Sequence, residues 1–308
     1  MAGGPADEAG ITGDAAGMSA EREREFLAHR RLVFTIAYDV TGSVSDAENV
    51  VQETWLRYSA ATGVPRNPRA YLARIASRQA LNAVRAASRR REEYPGEWLP
   101  EPLPTGQDAP GPYDPEASAL TGADVSTAML VLMQQLGGPE RVALVLRDVF
   151  GFGYAEIAEV LESSQASVRQ TVHRARERVR SGVPRNPPDK AEHRAAVERF
   201  LQAALTGQIQ ALLEVLAPDV VLHSDGGGIV SAARRPVYGQ EKVAALLLGL
   251  AAKFGADAAP EFVELNGLPA VAFREDGTVT TVFQLERQDG LVTGVYAMRN
   301  PDKLLRLQ

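Results

Sequence analysis

Seven prolines fall between residues 95 and 115 of this chain: Pro95, Pro100, Pro102, Pro104, Pro110, Pro112 and Pro115. Each lacks a backbone N–H and disfavours helix in the residue before it, so no regular helix crosses this stretch. The segment 94–118 is expected to be an extended, semi-rigid linker. Whatever lies on either side must find its own core. A second break, Gly182 to Pro188 (GVPRNPP), divides the chain again. The expected layout is a disordered Gly/Ala-rich tail over 1–20, a helical module over 21–93, the linker over 94–118, a second helical module over 119–183, a short linker over 184–190, and a third domain over 191–308.

Charge follows the same partition. The net charge is −6, which argues against indiscriminate nucleic-acid binding by the whole surface. Residues 61–93, however, hold eight Arg against two Glu, and residues 141–185 hold eight Arg against five acids. Between them, residues 94–140 hold seven acids and no base. Two basic modules separated by an acidic stretch point to nucleic-acid contact at two places. The chain has no cysteine, which excludes disulfides, thiol nucleophiles and thiolate metal sites. No metal or cofactor is expected. No apolar run approaches the roughly 18 residues of a membrane span, and the expected setting is the cytoplasm, with no membrane partner.

The first module reads as helix. Val33, Ile36, Ala37 and Val40 recur at three- and four-residue spacing, as do Ala47, Val50, Val51 and Thr54, and then Leu72, Ile75, Ala76, Ala80 and Val84. Ser45 to Glu48 fits a capping box at a helix start. On the 69–91 helix, Arg74, Arg78, Asn82, Arg85 and Arg89 form a basic ridge opposite the apolar side. With Asn67 and Tyr71 at its start, this helix suits opened or duplex DNA, the aromatic ring stacking on an unpaired base. The preceding helix carries Asp46, Glu48, Asn49, Gln52 and Glu53 with Trp55 and Leu56, both expected to be exposed. Acidic and apolar together, it suits a protein partner better than DNA.

In the second module, Val142, Val145, Leu146 and Val149 define one amphipathic helix, broken by Gly151-Phe152-Gly153. Tyr154–Leu161 gives a short second helix, and Glu162-Ser163-Ser164 a turn whose serines can cap the next helix. That helix runs from about Gln165 to Arg180, with Val168, Val172, Ala175 and Val179 inward. Gln165, Ser167, Arg169 and Gln170 stand at its start to meet base edges in a major groove, while His173, Arg174 and Arg176 lie further along toward phosphates. The pattern is a helix-turn-helix. Its glycines lack the third member of a dinucleotide loop and follow a helix rather than a strand.

Beyond residue 191 one or two helices, to about Leu216, precede strand-like segments at Val220–His223, Ala270–Arg274, Val279–Arg287 and Leu291–Arg299. A helix around Lys242–Lys253 interrupts them. Asp276-Gly277 and Asp289-Gly290 are hairpin turn signals. The third domain is expected to be α+β.

Taken jointly, these residues resemble the extracytoplasmic-function (ECF) group of RNA polymerase sigma factors. DAENVVQETWLRY (Asp46–Tyr58) looks like the region 2 helix that grips the polymerase, and Asn67–Arg90 looks like the part of region 2 that melts and reads the −10 element. Pro139–Arg180 looks like region 4, which reads the −35 element. A narrower resemblance, to the ECF41-like subgroup with a C-terminal extension of SnoaL-like (NTF2-like) build, rests on WLPEP (Trp98–Pro102), DGGG (Asp225–Gly228) and NPDKL (Asn300–Leu304). It implies a cone-shaped sheet wrapped by helices that regulates the factor in cis. The residues implied in that regulation are Trp98, Leu99, Pro100, Asp225, Gly226, Gly227, Gly228, Asn300, Pro301, Asp302 and Lys303. The implied partners are core RNA polymerase and promoter DNA, and the pocket of such a domain also admits a small-molecule ligand.

Two departures stand out. Glu162 occupies a turn position where the family usually has Gly, which implies backbone strain. Asn49 stands where an acid is frequent. SnoaL-like folds include enzymes, and the residues here that suit catalysis are His223, Asp225 and Tyr238. Asp225 is better accounted for by turn formation at the triple glycine, which is expected to be flexible and a poor scaffold for catalysis, so the chain is read as a non-enzyme. A duplex-binding helix-turn-helix regulator that never meets polymerase, and a bifunctional enzyme, are the rival readings.

Overall fold

The computed structural model describes residues 9–63, 65–105, 125–180, 189–253 and 259–308. The expected linkers therefore fall partly outside the described residues, at 106–118 and 184–188. Packing divides the chain into two units.

The first unit joins the chain up to Arg85 with Gly138–Val172. Helix α1 (Ala9–Thr41) ends at Gly42 with φ 70°, and α2 (Val44–Ser59) follows at once. The N-terminal stretch expected to be disordered is thus helical from Ala9. Several alanines, the strongest helix formers, carry α1 backward beyond its apolar stripe. The cap of α2 also differs from expectation. Its hydroxyl comes from Ser43, which accepts the Asp46 N–H at 3.2 Å, because the tight glycine exit from α1 starts α2 early. Helix α3 (Pro68–Glu92) begins as proline-led helices do. Asn67 accepts the Ala70 N–H at 3.0 Å, and Pro68 occupies the first helical position, where no N–H is missed. Ile36 and Val33 of α1 and Ala47 of α2 are wholly buried. Truncating Ile36 to Ala would cost about 2–5 kcal/mol.

The same unit contains the three-helix pattern read after residue 139. Helix α5 (Gly138–Leu144) runs into a π-helical turn (Val145–Val149). Then come α6 (Tyr154–Val160) and the start of α7 (Gln165–Arg180). The inner stripe Val168, Val172, Ala175 and Val179 is 0–5% exposed, as the periodicity requires.

The second unit is α+β. It holds the end of α3, the linker to Thr105, and α4 (Thr127–Met133). Helices α8 (Lys190–Leu205), α9 (Ile209–Val215) and α10 (Gln240–Ala251) accompany a six-stranded sheet. The strands are β1 (Leu216–Asp225), β2 (Val237–Tyr238), β3 (Ala259–Leu265), β4 (Leu268–Glu275), β5 (Thr278–Gln288) and β6 (Leu291–Met298), in the order β2-β1-β6-β5-β4-β3. β1 and β6 run parallel and every other pair is antiparallel. Three two-residue turns join β3 to β6, each with both residues at positive φ as the hairpin type demands: Asn266-Gly267, Asp276-Gly277 and Asp289-Gly290. This is the α+β domain expected, with one more hairpin than the two Asp-Gly signals mark.

The two faces of the sheet are covered differently. Leu222, Val271, Phe273, Phe283, Leu285 and Val295 form one core with α8, α9 and α10. On the other face, Leu265, Ala272, Val282, Tyr296 and Met298 are covered by Leu99 of the linker, Ala128 of α4 and Leu304 near the C-terminus. The linker also continues the sheet at its β3 edge. Pro104 bridges Leu265, the Thr105 N–H donates to the Glu264 carbonyl at 2.9 Å, and the Asn266 N–H donates to the Leu103 carbonyl at 2.8 Å. That pairing hides an edge that would otherwise stand open.

Candidate nucleic-acid interfaces and the linker anchor

Helix α7 is positioned by its cap: the Ser164 hydroxyl accepts the Ser167 N–H at 3.2 Å. With the valine stripe inward, Gln165, Ser167, Arg169, Gln170, His173, Arg174 and Arg176 are all exposed on the outer side. Arg169 rests 5.3 Å from the Tyr154 ring centroid, which restrains its guanidinium near the start of the helix. The polar side of α7 has the composition and exposure of a major-groove reading helix.

The ridge on α3 is less uniform. Arg74, Asn82 and Arg85 are exposed, with Arg85 donating to the Asn82 side chain at 3.4 Å. Arg78 is paired with Glu162, the residue of the helix-turn-helix turn. Tyr71 is half-buried, its ring 6.1 Å from that of Tyr58, and Asn67 serves as the helix cap. The Tyr58 hydroxyl in turn donates to Glu25, and burial together with that bond raises its pKa to about 12.

On α2, Asn49, Gln52, Glu53 and Leu56 share one exposed face, Leu56 at 59%. Asp46 is half-buried, and Glu48 is tied to Arg30 at 3.2 Å. Trp55 departs from the expectation of an exposed ring. It lies half-buried against Phe26, with centroids 5.1 Å apart, because its flat indole covers apolar surface between α1 and α2.

The residues implied in regulation converge on one carboxylate. Asp225, fully buried at the end of β1, accepts four hydrogen bonds. One oxygen takes the Tyr94 hydroxyl at 2.6 Å and the Gly227 N–H at 2.9 Å. The other takes the Leu99 N–H at 2.9 Å and the Lys303 ammonium at 2.8 Å. Lys303 also donates to the Leu99 carbonyl at 2.5 Å. Burial lowers the Lys303 pKa to about 8, against the opposing pull of Asp225. The amine thus stays protonated at neutral pH and satisfies the carboxylate. Trp98 is gripped from two sides, with Arg91 and Lys303 each 3.8 Å from its ring centroid. Pro100 is buried beside Leu99.

The glycines are not a flexible hinge. A Cβ on Gly226 would strike the Val230 carbonyl, one on Gly227 the Asn300 side chain, and one on Gly228 the ring of Pro95. Only bare backbone lets the linker and the C-terminal turn approach β1 so closely. Asn300 caps the 3-10 turn Pro301–Lys303, accepting the Asp302 N–H at 3.1 Å, and its amide donates to Tyr94 at 2.8 Å.

Sequence reasoning missed several members. Tyr94 and Arg91 lie just outside the motif WLPEP, and His223 meets Glu97 of the linker at 2.5 Å. Asn266 accepts from the Leu103 N–H at 3.2 Å, the Thr127 hydroxyl at 3.3 Å and the Gln284 amide at 3.2 Å. It thereby ties the linker and α4 to the sheet. The Asn-Gly turn signal was present to find it.

The residues proposed for catalysis do not meet in a cavity. Asp225 is saturated by its partners, His223 faces Glu97, and Tyr238 is 64% exposed. A separate cavity of about 20 Å³ lies on the helix-covered face, walled by Phe200, Leu201, Leu205, Leu247, Phe273 and Phe283. It is about large enough for one or two waters, and its lining offers them no partner. Among the described residues no helix is long and apolar enough to cross a membrane.

The family model for sigma-70 region 2 matches residues 26–90, and that for sigma-70 region 4 matches residues 126–179. The chain is 40% identical over 233 residues to the ECF RNA polymerase sigma factor SigJ of Mycobacterium tuberculosis, covering 75% of this chain and 73% of the relative. It is 31% identical over 202 residues to the probable ECF RNA polymerase sigma factor SigI of the same species, covering 64% of this chain and 68% of that one. The crystal structure of Mycobacterium tuberculosis SigJ superimposes with a TM-score of 0.75 at 34% identity, over 92% of this chain and 98% of the other.

Proposed function

The chain belongs to the ECF RNA polymerase sigma factors, and from that membership we propose that it binds core RNA polymerase in the cytoplasm and directs promoter-specific initiation. In this reading the exposed face of α2 (Asn49, Gln52, Glu53, Leu56) docks on polymerase. The ridge of α3 handles the −10 element as it opens, and α7 reads the −35 element through Gln165, Ser167, Arg169 and Gln170. Arginine-rich helices meet phosphate strongly and without sequence preference, so selectivity falls to the few residues at the start of α7. The observation that carries the reading is the full exposure of that row above a buried valine stripe. Run-off transcription with core polymerase on a promoter library tests it. Specific start sites are expected, and the absence of both core binding and initiation would return the chain to the duplex-binding regulators.

We further infer that the C-terminal domain regulates the factor in cis. One sheet face of that domain is completed by the linker and by α4, the first helix within the region 4 match. The segment joining the two DNA-binding regions is therefore not an idle tether. Its freedom is set by the Asp225–Lys303 anchor. Transcription by the full chain, by a chain ending after Arg185 and by Trp98→Ala tests this, and identical promoter activity in all three defeats it. No catalytic role is assigned to the domain. A small molecule acting on the helix-covered cavity would have to be apolar and would have to widen it.

A further inference from the structure

A helix that ends in a left-handed turn favours glycine there, because a Cβ presses on the neighbouring carbonyl. In the turn before α7 that position is held by Glu162, at φ 51°. The turn closes in the usual way without help from the side chain. The Ser163 N–H reaches the Ala158 carbonyl at 2.9 Å, and the Leu161 N–H reaches Ile157 at 3.0 Å. The Glu162 carboxylate instead meets the guanidinium of Arg78 on α3, 84 residues earlier in the chain. Strained backbone at a position that suits a smaller residue points to a role outside the turn.

Arg78 is one of several contacts along this seam, all inside the first packing unit. Arg69, at the start of α3, donates to the Phe150 carbonyl at 2.8 Å and stacks 4.5 Å over Phe152. Gly138 of α5 lies against Leu81 and Val84 of α3. Arg141, 3% exposed, donates to the Val40 carbonyl of α1 at 2.5 Å. The helix-turn-helix thus rests on the helix that bears the basic ridge. The two promoter elements stand about 25 base pairs apart, about 85 Å at about 3.4 Å per base pair. Two modules joined by an ion pair cannot reach both at once. The seam has to part before the promoter is read.

We propose that Glu162 is a built-in stand-in for a DNA phosphate: in the free factor it holds Arg78 and keeps the helix-turn-helix on region 2, and promoter phosphate displaces it when the seam opens. The proposal rests on the sigma-factor reading of both modules. A guanidinium suits this exchange because it pairs with carboxylate and phosphate through the same forked geometry. The Arg78 and Glu162 side chains are 38% and 75% exposed, so the pair is weak and salt-sensitive. It biases the seam without locking it.

The chain has no cysteine, so Ala60→Cys on the turn after α2 and Ala166→Cys on α7 give clean sites for a fluorescent donor and acceptor in the full-length protein. Glu162→Gln and Arg78→Glu should each raise the open-to-closed ratio about two- to fivefold at low salt, the range of an exposed ion pair. The difference from wild type should fade as salt approaches about 1 M. The exchanged pair Arg78→Glu with Glu162→Arg should close the molecule again. An unchanged ratio in Glu162→Gln, or an exchanged pair that stays open, overturns the proposal. Glu162→Gly, which suits the backbone, removes the same charge and must open the seam equally. Core-polymerase binding and run-off by the wild type are measured alongside. Their failure defeats the sigma-factor reading and leaves the seam ratios legible in their own right.

Discussion

The Lys303 ammonium lies 2.8 Å from the Asp225 carboxylate, with the two side chains 7% and 0% exposed. The pair joins the 3-10 turn Pro301–Lys303 to the end of β1, and both partners reach onward to the same linker residue. Asp225 accepts from the Leu99 N–H and Lys303 donates to the Leu99 carbonyl. One ion pair thus satisfies both backbone polar groups of a buried residue that could not otherwise leave water.

Removing one partner strands the other. Lys303→Met should cost about 3–5 kcal/mol of unfolding free energy in urea, the penalty for an unpaired buried charge. Adding Asp225→Asn to it should recover part of that loss, since the leftover charge disappears while a carbonyl oxygen stays to accept from the Tyr94, Gly227 or Leu99 donors. A loss under about 1 kcal/mol in the single variant would mean that the anchor does not form in solution.

Trp98→Ala removes a ring held by two cations. Each contact is worth about 0.5–2 kcal/mol depending on solvent access. Cleavage by a glutamate-specific protease at Glu97 and Glu101 should therefore quicken at least fivefold, because local opening sets access. Trp98→Phe should fall between the two. Equal cleavage of all three proteins would show that the ring restrains nothing.

Specificity and affinity should separate along α7. Gln165→Ala or Arg169→Ala should relax preference at one or two −35 positions, about 1–3 kcal/mol per lost base contact. Arg174→Ala should weaken all sequences alike and lower the slope of log affinity against log salt by about 1. A uniform loss from Gln165→Ala would move the reading face elsewhere on the helix.

Glu286 gives the C-terminal unit a pH signature. On β5, paired opposite Gly294, it is desolvated, and its pKa rises to about 7. Gly294 has to be small, since a Cβ there would crowd Glu286 and the Tyr296 hydroxyl. Between the ordinary glutamate value and 7 the folded state holds a proton that the unfolded state has lost, so this group's favourable share fades as pH rises through that window. Glu286→Gln stays neutral throughout. It should match wild type below about pH 4 and be more stable by about 2 kcal/mol above pH 7. Thermal unfolding of both proteins from pH 4 to 8 checks this, and a gap that grows toward acid would reverse the assignment.

Much of this was legible in the sequence because periodicity and proline act locally. The valine stripe of α7, the break at the linker and the two Asp-Gly turns each announce themselves within a few residues. What escaped was set by distance. Nothing near Tyr94 says that its hydroxyl will meet Asp225, 131 residues later. The triple glycine reads as slack until Pro95 and Asn300 are seen against it. Trp55 on an acidic helix reads as exposed until Phe26 is placed beside it. The cap of α2 was misplaced by two residues because the Gly42 exit decides where that helix begins. The edge strand β3 was passed over although Asn266-Gly267 marked its end, since Pro260 and two acids gave it no alternating pattern.

The anchor also sets an order of events on the ribosome. Lys303 follows Leu99 by 204 residues, so at about 5–20 residues per second roughly 10–40 s pass between the synthesis of the two. For that interval the nascent linker lacks its final fastening, and both DNA-binding modules can fold before it is in place. The restraint is complete only once Lys303 has left the exit tunnel. A message broken before codon 303 would release a factor that had never been fastened.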